Sequence, residues 1–353
     1  GLAVKARIFE TDGTPRTDVL DLNHRSEGDQ FTPGVAVLAE DEWVVAFADS
    51  EHRVWTRRFD RDGLDVVGRL ERTVSDTTEG DQEGATGVEG PDGEALVAWS
   101  SPFNGTSDKE IVARRINDEG KATTGDVQLN EKISGDQTSP ALAATPDGWF
   151  AVWQSGASDD ALDEIVGRMV DAQGSPVGDE FTIPSQTAGD QRHPSVAVGD
   201  DTGLVVWDSD AVTPGSQWHI ASRLMDLNGQ PLDEEVTLST GERAFFPVVA
   251  ALPDGGGYVV AWETKEQSTW DVVVRRLDAQ GQPLGDAVLA HAASVHDEKN
   301  AAIAVAPSGA YLHVCVTHWS SALTTAGIGC QRIDADSLAH IGPELVPHNA
   351  GEQ

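Results

Sequence analysis

Carboxylates recur at a fixed place in this sequence, one in each copy of a short motif. The tripeptide Gly-Asp-Gln begins at Gly28, Gly80, Gly135 and Gly189, and related tripeptides begin at Gly241 and His296. The acids of these six copies are Asp29, Asp81, Asp136, Asp190, Glu242 and Asp297. Grouped carboxylate oxygens bind hard cations, so these six acids are the predicted ligands of a hard cation, and no other cofactor is expected. The alternative is that each carboxylate caps its own turn or accepts a hydrogen bond from an arginine.

Two tryptophans offer a second kind of chemistry. Trp218 and Trp270 align with each other in consecutive copies of a longer repeat, and His219 and Asp271 follow them directly. Flat aromatic faces beside polar groups stack on sugar rings or grip a peptide, so these four residues form the predicted ligand-binding set. The alternative is that both indoles cover a junction between structural units.

Histidine is concentrated in the last repeat region. Six of the ten histidines lie there: His291, His296, His313, His318, His340 and His348. Imidazoles bind zinc or copper, but these spacings match no familiar ligand motif, and strand alternation would put His313 and His318 on opposite faces. The spacing therefore argues against a metal centre.

Sequence motifs for catalysis are missing. The chain has no Gly-x-Ser-x-Gly, no His-Glu-x-x-His and no phosphate-binding glycine loop. Carboxylates are abundant, so a pair of acids that cleaves glycosides stays open as an alternative.

The repeat determines which elements carry these residues. The motif returns every 52 to 55 residues, and each copy has four short apolar stretches, rich in Val and Ile, that end at Gly, Asp, Asn or Pro. Such stretches predict four strands, a to d, and no segment has a helical period. Four strands per repeat are typical of a β-propeller blade. We therefore predict an all-β fold, a single β-propeller of four-stranded antiparallel blades.

The predicted domain covers residues 1–353. An additional c–d hairpin occupies 1–27, and six repeats follow it: 28–79, 80–134, 135–188, 189–240, 241–295 and 296–350. The total of 26 strands exceeds the 24 of six blades and is short of the 28 of seven. Six complete blades are favoured, with a seven-bladed ring as the alternative. The d–a and b–c loops share one face, and the b–c loops vary from copy to copy, so we expect ligand there.

Two recurrent positions indicate framework rather than a site. Strand b carries Phe47, Trp99, Trp153, Trp207 and Trp262, and strand c carries Arg7, Arg57, Arg114, Arg168, Arg223 and Arg275. We expect the indoles and guanidiniums to pack together between neighbouring blades. The two cysteines fall on adjacent strands, Cys315 on b and Cys330 on c, within reach of each other. They are predicted to form a disulfide, which indicates an oxidising compartment.

Charge excludes some partners. Acidic residues outnumber basic residues 59 to 24 among 353, and the formal charge is -35. That charge repels phosphate backbones and anionic lipids, so no nucleic acid is expected. No run of about 18 apolar residues occurs, so no membrane insertion is expected either.

The pattern GDQ…P.VA…DG..VVAW.S, followed by I..R..D..G.P.G.E, resembles a repeat of large secreted or surface proteins of bacteria. The resemblance implies an extracellular, cell-surface or periplasmic protein for recognition or adhesion, with calcium bound. The predicted function is a non-enzymatic module that binds a glycan or protein partner through the variable loop face. The alternatives are a secreted carbohydrate-active enzyme, a glycosidase or lyase with acids at the channel mouth, and a structural spacer. The oligomeric state is not predicted.

Overall fold

The computed structural model describes residues 2–10, 14–23, 28–38, 42–64, 71–76, 80–117, 119–156, 162–210, 218–239, 243–266, 269–291, 297–319 and 327–348. Within these ranges the protein has 26 strands and no helix, so none of the described segments is a helix that could cross a membrane. The fold is all-β, and six four-stranded antiparallel sheets form the blades of a six-bladed β-propeller. The predicted class, strand number and favoured blade number are confirmed.

A two-stranded sheet precedes the blades and consists of Lys5–Ala6 (β1) and Leu20–Asp21 (β2). Blade 1 contains Gln30–Leu38 (β3), Glu42–Asp49 (β4), Arg53–Phe59 (β5) and Arg72–Thr73 (β6). Blade 2 contains Glu83–Glu89 (β7), Ala95–Pro102 (β8), Lys109–Ile116 (β9) and Val127–Gln128 (β10). Blade 3 contains Gln137–Thr145 (β11), Gly148–Ser155 (β12), Glu164–Asp171 (β13) and Pro176–Thr182 (β14).

Blade 4 contains Gln191–Val198 (β15), Thr202–Ser209 (β16), His219–Asp226 (β17) and Val236–Thr237 (β18). Blade 5 contains Ala244–Ala251 (β19), Tyr258–Glu266 (β20), Thr269–Leu277 (β21) and Val288–Leu289 (β22). Blade 6 contains Asp297–Val305 (β23), Tyr311–Trp319 (β24), Gly327–Asp334 (β25) and Leu345–His348 (β26). In every blade the strands a to d follow chain order, and each pairs with the next.

The chain divides into two compact units. The first comprises 1–161 with 166–182, and the second comprises 162–165 with 183–353. In the first unit, neighbouring blades bury an apolar core that includes Trp99, Trp149 and Trp153. In the second, the core includes Trp207, Tyr258 and Trp262. Within each unit, the apolar faces of adjacent sheets therefore hold the blades together. This packing buries both faces of strand b.

The Gly-Asp-Gln motif builds the start of strand a. Its glycines have positive φ, for example 80° at Gly135 and 85° at Gly189, a conformation that residues with a Cβ rarely adopt. The glutamine then folds back: Gln191 Nε2 donates to the carbonyl of Gly189, and its Oε1 accepts from Trp207 Nε1 at 2.7 Å. Gln137 makes the same two bonds in blade 3. In blades 3 and 4 the motif and the strand b tryptophan therefore form one buried hydrogen-bonded unit.

The strand c arginines hold neighbouring blades, but not by the expected stacking on strand b indoles. Instead, Nη1 donates to a carbonyl next to strand d of the preceding blade. Arg57 bonds Leu22, at 2.7 Å, and Arg168 bonds Leu129, at 2.9 Å. The guanidinium is a forked donor, so it satisfies a carbonyl that the short strand d leaves without a strand partner. The framework role is retained, and the partner differs because the outermost strands are only two residues long in four of the six blades.

The disulfide is present as predicted. Cys315 on β24 lies directly opposite Cys330 on β25, and their sulfur atoms are bonded. The prediction succeeded because antiparallel pairing places the side chains of facing residues within disulfide reach.

Each strand a contains an irregularity near its start. The register with strand b shifts there in all six blades, and the shifted residues include Thr32, Ser139, His193, Phe246 and Asn300, all with φ between 50° and 54°. Such bulges redirect side chains away from the regular alternation of a strand. The bulges of blades 4 and 5 present a histidine and a phenylalanine, and these residues belong to the site described next.

Candidate functional site

Four aromatic side chains of blades 4 and 5 form a continuous group, here named the aromatic row: Trp218, Phe245, Phe246 and Trp270. The Phe245 ring lies in the middle, with its centroid 5.4 Å from that of Trp218 and 5.7 Å from that of Trp270. Phe246 is 6.4 Å from Phe245 and is 46% exposed. Strands a and c and the b–c loops supply these residues, so the row lies at the predicted loop face.

Cationic side chains lie over both ends of the aromatic row. The Arg192 guanidinium is 5.2 Å from the Trp218 ring centroid. At the other end, Lys265 and Lys299 place their ammonium nitrogens 5.4 and 4.8 Å from the Trp270 ring centroid. Cation–π attraction orders the two indoles, which remain half-buried.

A histidine and a buried aspartate adjoin the row. His193 packs against Phe246, with ring centroids 4.2 Å apart, and its Nδ1 is 3.0 and 3.1 Å from the two carboxylate oxygens of Asp208. Asp208 is fully buried, whereas a third of the His193 side chain is exposed. Burial raises the pKa of Asp208, and the hydrogen bond with His193 opposes that shift. The pair is therefore an imidazole held by a carboxylate with one ring edge towards solvent.

A second buried acid lies one blade further along. Glu263 is only 2% exposed, and its Oε1 accepts from the backbone N–H of Asn300, the bulge residue of blade 6, at 2.7 Å. Burial raises the pKa of Glu263, and the Asp208 charge adds to the rise, while Lys299 and His193 lower it. Glu263 and Asp208, here named the acid pair, are thus near enough for the charge of Asp208 to affect the ionisation of Glu263.

Proton transfer on a bound ligand requires a proton donor and a proton acceptor, and this arrangement contains both. A carboxyl with a raised pKa keeps its proton to a higher pH than an exposed acid does, and an imidazole with a carboxylate partner can accept a proton. The aromatic row supplies flat apolar surface for ligand beside these groups.

The predicted ligand-binding residues divide into two pairs. Trp218 and Trp270 both join the aromatic row. The Trp218 carbonyl also accepts a hydrogen bond from the Ala244 N–H, on strand a of the next blade, at 3.0 Å. Trp218 therefore lies at a junction between blades, as the alternative interpretation expected. His219 lies apart from the row: it is 8% exposed, and burial lowers its pKa against the opposing charges of Glu235 and Asp210. Asp271 is half-buried and pairs with Thr264 in the sheet.

The carboxylates of the Gly-Asp-Gln motif have structural partners. Oδ1 of Asp29, Asp136, Asp190 and Asp297 accepts a backbone N–H near the start of strand c in the preceding blade or hairpin, at 2.6 to 3.2 Å. Asp81 instead pairs with His52, at 2.9 Å. These bonds connect neighbouring blades, a variant of the capping alternative. Glu242 lies outside the described residues. Calcium binding by this motif stays a prediction.

The residues that sequence reasoning missed were visible as departures from the repeat. Asp208 and Glu263 follow the strand b tryptophan, where other copies have Ala48, Ser100 and Gln154. The Phe245–Phe246 dipeptide similarly replaces small or polar residues such as Thr138–Ser139. Acidic and aromatic replacements at two adjacent blades were the available signal.

Comparison with known proteins gives matches at the level of structure. No family model matches the chain, and no curated protein matches it. An α-L-arabinanase of Penicillium chrysogenum, solved with arabinobiose, is similar with a TM-score of 0.59 and 15% identity, over 89% of this chain and 97% of that one. The GH93 α-L-arabinofuranosidase of Fusarium graminearum, also solved with arabinobiose, has a TM-score of 0.59 and 11% identity, over 96% and 99%. A protein of unknown function from Dyadobacter fermentans has a TM-score of 0.56 and 12% identity, over 92% and 95%.

At these identities the likeness shows the fold, and it corrects the functional expectation. The prediction of a non-enzymatic recognition and adhesion module is wrong on this comparison, because proteins that share the fold over most of both chains are an arabinanase and an arabinofuranosidase.

Proposed function

We propose that this protein is a glycoside hydrolase that cleaves a glycan bound along the aromatic row. The observation that carries the proposal is the acid pair beside the row, with its two buried carboxyls of raised pKa and an imidazole partner. Sugar rings present flat C–H faces that stack on aromatic side chains, while their hydroxyls bond to polar groups at the edges. Arabinose-containing chains are the first substrates to test, since the similar enzymes were solved with arabinobiose.

In the proposed reaction, water attacks the anomeric carbon and the glycosidic C–O bond breaks. Glu263 is the general acid and donates its proton to the leaving oxygen, because its raised pKa keeps it protonated at higher pH than an exposed glutamate. His193 takes the proton from the attacking water on Nε2, since Nδ1 faces Asp208. Asp208 is a positioning residue that fixes this orientation and stabilises the imidazolium.

The test is hydrolysis of linear arabinan and of 4-nitrophenyl α-L-arabinofuranoside by the full chain and by Glu263→Gln. The glutamine retains an oxygen that accepts the Asn300 N–H, so the bulge of blade 6 is kept while the proton donor is lost. We expect kcat to fall about 10²- to 10⁴-fold with little change in KM. Trp270→Ala should instead raise KM about 2- to 10-fold, because it removes stacking surface.

Glu110→Gln is the matched control. Glu110 is a fully buried carboxyl of blade 2 whose pKa burial raises, and it is not part of the row or the acid pair. Its kcat should equal that of the unmodified protein. An equal loss of kcat in Glu263→Gln and Glu110→Gln would contradict the proposal. A failure to release sugar from arabinan and from every other polysaccharide of a panel would also contradict it.

We further propose that the protein acts in an oxidising compartment, outside the cytoplasm. The Cys315–Cys330 disulfide supports this placement, and so does the resemblance of the repeat to secreted and surface proteins of bacteria.

A further inference from the structure

Two histidines and a glutamate of blades 5 and 6 meet outside the aromatic row. His291 follows β22, His318 lies on β24, and Glu344 directly precedes β26. His318 Nε2 is 2.6 Å from Glu344 Oε1, and His291 Nδ1 is 3.3 Å from the same oxygen. One donor atom from each residue lies within 4.8 Å of the others. This is the only such group of three among the described residues.

His291 indicates that the group is built to hold a ligand. Its residue is 2% exposed, and neither ring nitrogen makes a hydrogen bond of good geometry, although the Glu344 carboxylate and the Val314 backbone lie nearby. The approach of Nδ1 to Glu344 satisfies the distance but not the geometry of a hydrogen bond. A buried ring nitrogen without a partner is costly.

The surroundings leave room for the group. Gly329 on β25 faces it, and a Cβ there would lie 1.9 Å from Glu344 Oε1 and 2.1 Å from His318 Nε2. A side chain at this position would therefore displace both groups. On the other edge of the His318 ring, Nδ1 is 3.9 Å from the buried Glu298 carboxylate. That distance is too long for a hydrogen bond, so Glu298 places a carboxyl group behind the imidazole without fixing its orientation.

We propose that His291, His318 and Glu344 bind a divalent transition metal, Zn²⁺ being the best match to two imidazoles and one carboxylate. Zinc ligands at about 2.0–2.1 Å in tetrahedral geometry lie about 3.3 Å apart, so His318 and Glu344 separate by less than about 1 Å on binding. Their side chains are 22% and 35% exposed, which gives the ion access and leaves its fourth position for water. The ion would join the end of blade 5 to blade 6.

The site also explains why the histidine spacing gave no motif. His313 and His318 do lie at positions of opposite parity on β24, as expected, but the second imidazole comes from the preceding blade. His296 lies outside the described residues.

The experiment is isothermal titration of the chelator-treated full chain with ZnCl₂, with Glu344→Gln and His318→Gln as test variants. His313→Gln, on the same strand but outside the group, is the matched control. We expect one zinc per chain with a Kd in the micromolar range or below, weakened at least 10-fold in both test variants and unchanged in the control. X-ray absorption of the zinc complex should show nitrogen and oxygen neighbours at about 2.0–2.2 Å and no sulfur.

Absence of zinc binding by the unmodified chain would overturn the proposal, and so would equal affinity in all three variants. Circular dichroism spectra of the variants without metal should match that of the parent chain, which separates loss of a ligand from loss of the fold. Because this readout is metal affinity, it is independent of any hydrolytic activity.

Discussion

Buried carboxyl groups in this protein differ in what satisfies them. Asp208 is bonded to an imidazole, whereas Glu110 on β9 bonds the side-chain amide of Asn130 through one oxygen, and its Oε1 is buried without a hydrogen-bond partner. Burial raises the pKa of Glu110, and its bond with Asn130 opposes the rise. An acid with this environment is accommodated best in its protonated form.

Replacement of Glu110 by glutamine should change how stability depends on pH. Because the folded-state pKa is raised above the ordinary value of 4.5, the native state binds the proton more tightly than the unfolded state. The stabilisation from Glu110 is therefore full below pH of about 4.5 and is lost as pH rises through the folded pKa. We expect the free energy of unfolding of the parent chain, relative to Glu110→Gln, to fall as the pH rises above about 4.5.

Urea unfolding at a series of pH values measures this difference. Two stability curves that run parallel across the range would show that Glu110 has the same pKa in the folded and unfolded states.

At the scale of elements, the blade is organised by hydrogen bonds that the repeat motif makes with its own strand b. Gln191 accepts from the fully buried Trp207 and donates to Gly189, so one side chain ties the entry of strand a to the centre of the sheet. Asp190 connects the same entry to the preceding strand c, through the N–H of Asp163. Blade 3 makes the same two connections through Gln137 and Asp136.

Gln191→Ala should destabilise the protein by about 1–3 kcal/mol. The substitution leaves the Trp207 Nε1–H buried without an acceptor, and an unsatisfied buried donor carries that cost. Urea unfolding monitored by tryptophan fluorescence provides the measurement. Gln173→Ala, at an exposed position in the c–d turn of blade 3, is the control and should change stability by less than about 0.5 kcal/mol. A similar small effect at Gln191 would show that the Trp207 bond contributes little.

At the scale of the whole molecule, net charge is the dominant feature. A formal charge of -35 on 353 residues produces self-repulsion in the folded state that mobile ions screen. Raising NaCl from about 0.02 M to 0.5 M should therefore increase the midpoint of thermal unfolding by about 2–5 °C. An unchanged or lower midpoint would mean that the acidic residues are already balanced locally.

The same melting experiment tests the predicted calcium site. CaCl₂ and NaCl at equal ionic strength screen charge to a comparable extent, so a larger increase with calcium would indicate specific binding to the folded protein. Equal increases would show that calcium does not bind specifically. The motif carboxylates would then have only a structural role, in which four of them accept backbone N–H groups.

Much of the fold was predictable because it rests on local and repeated information. The apolar stretches, the turns and the period of the repeat specify four strands per unit, and the pairing of Cys315 with Cys330 follows from antiparallel register alone. The strand c arginines were recognised as framework, but their carbonyl partners were not, because those carbonyls belong to the preceding blade.

The sequence by itself determined the all-β class, the six blades, the disulfide and the loop face on which Trp218 and Trp270 lie. Only the tertiary structure decided that Phe245 lies between those indoles, that Asp208 and Glu263 share one buried region, and that His291 meets His318 and Glu344. The reason is physical: repeat period and strand alternation fix neighbours within a sheet, whereas contacts between sheets depend on bulges, burial and packing that no local pattern encodes.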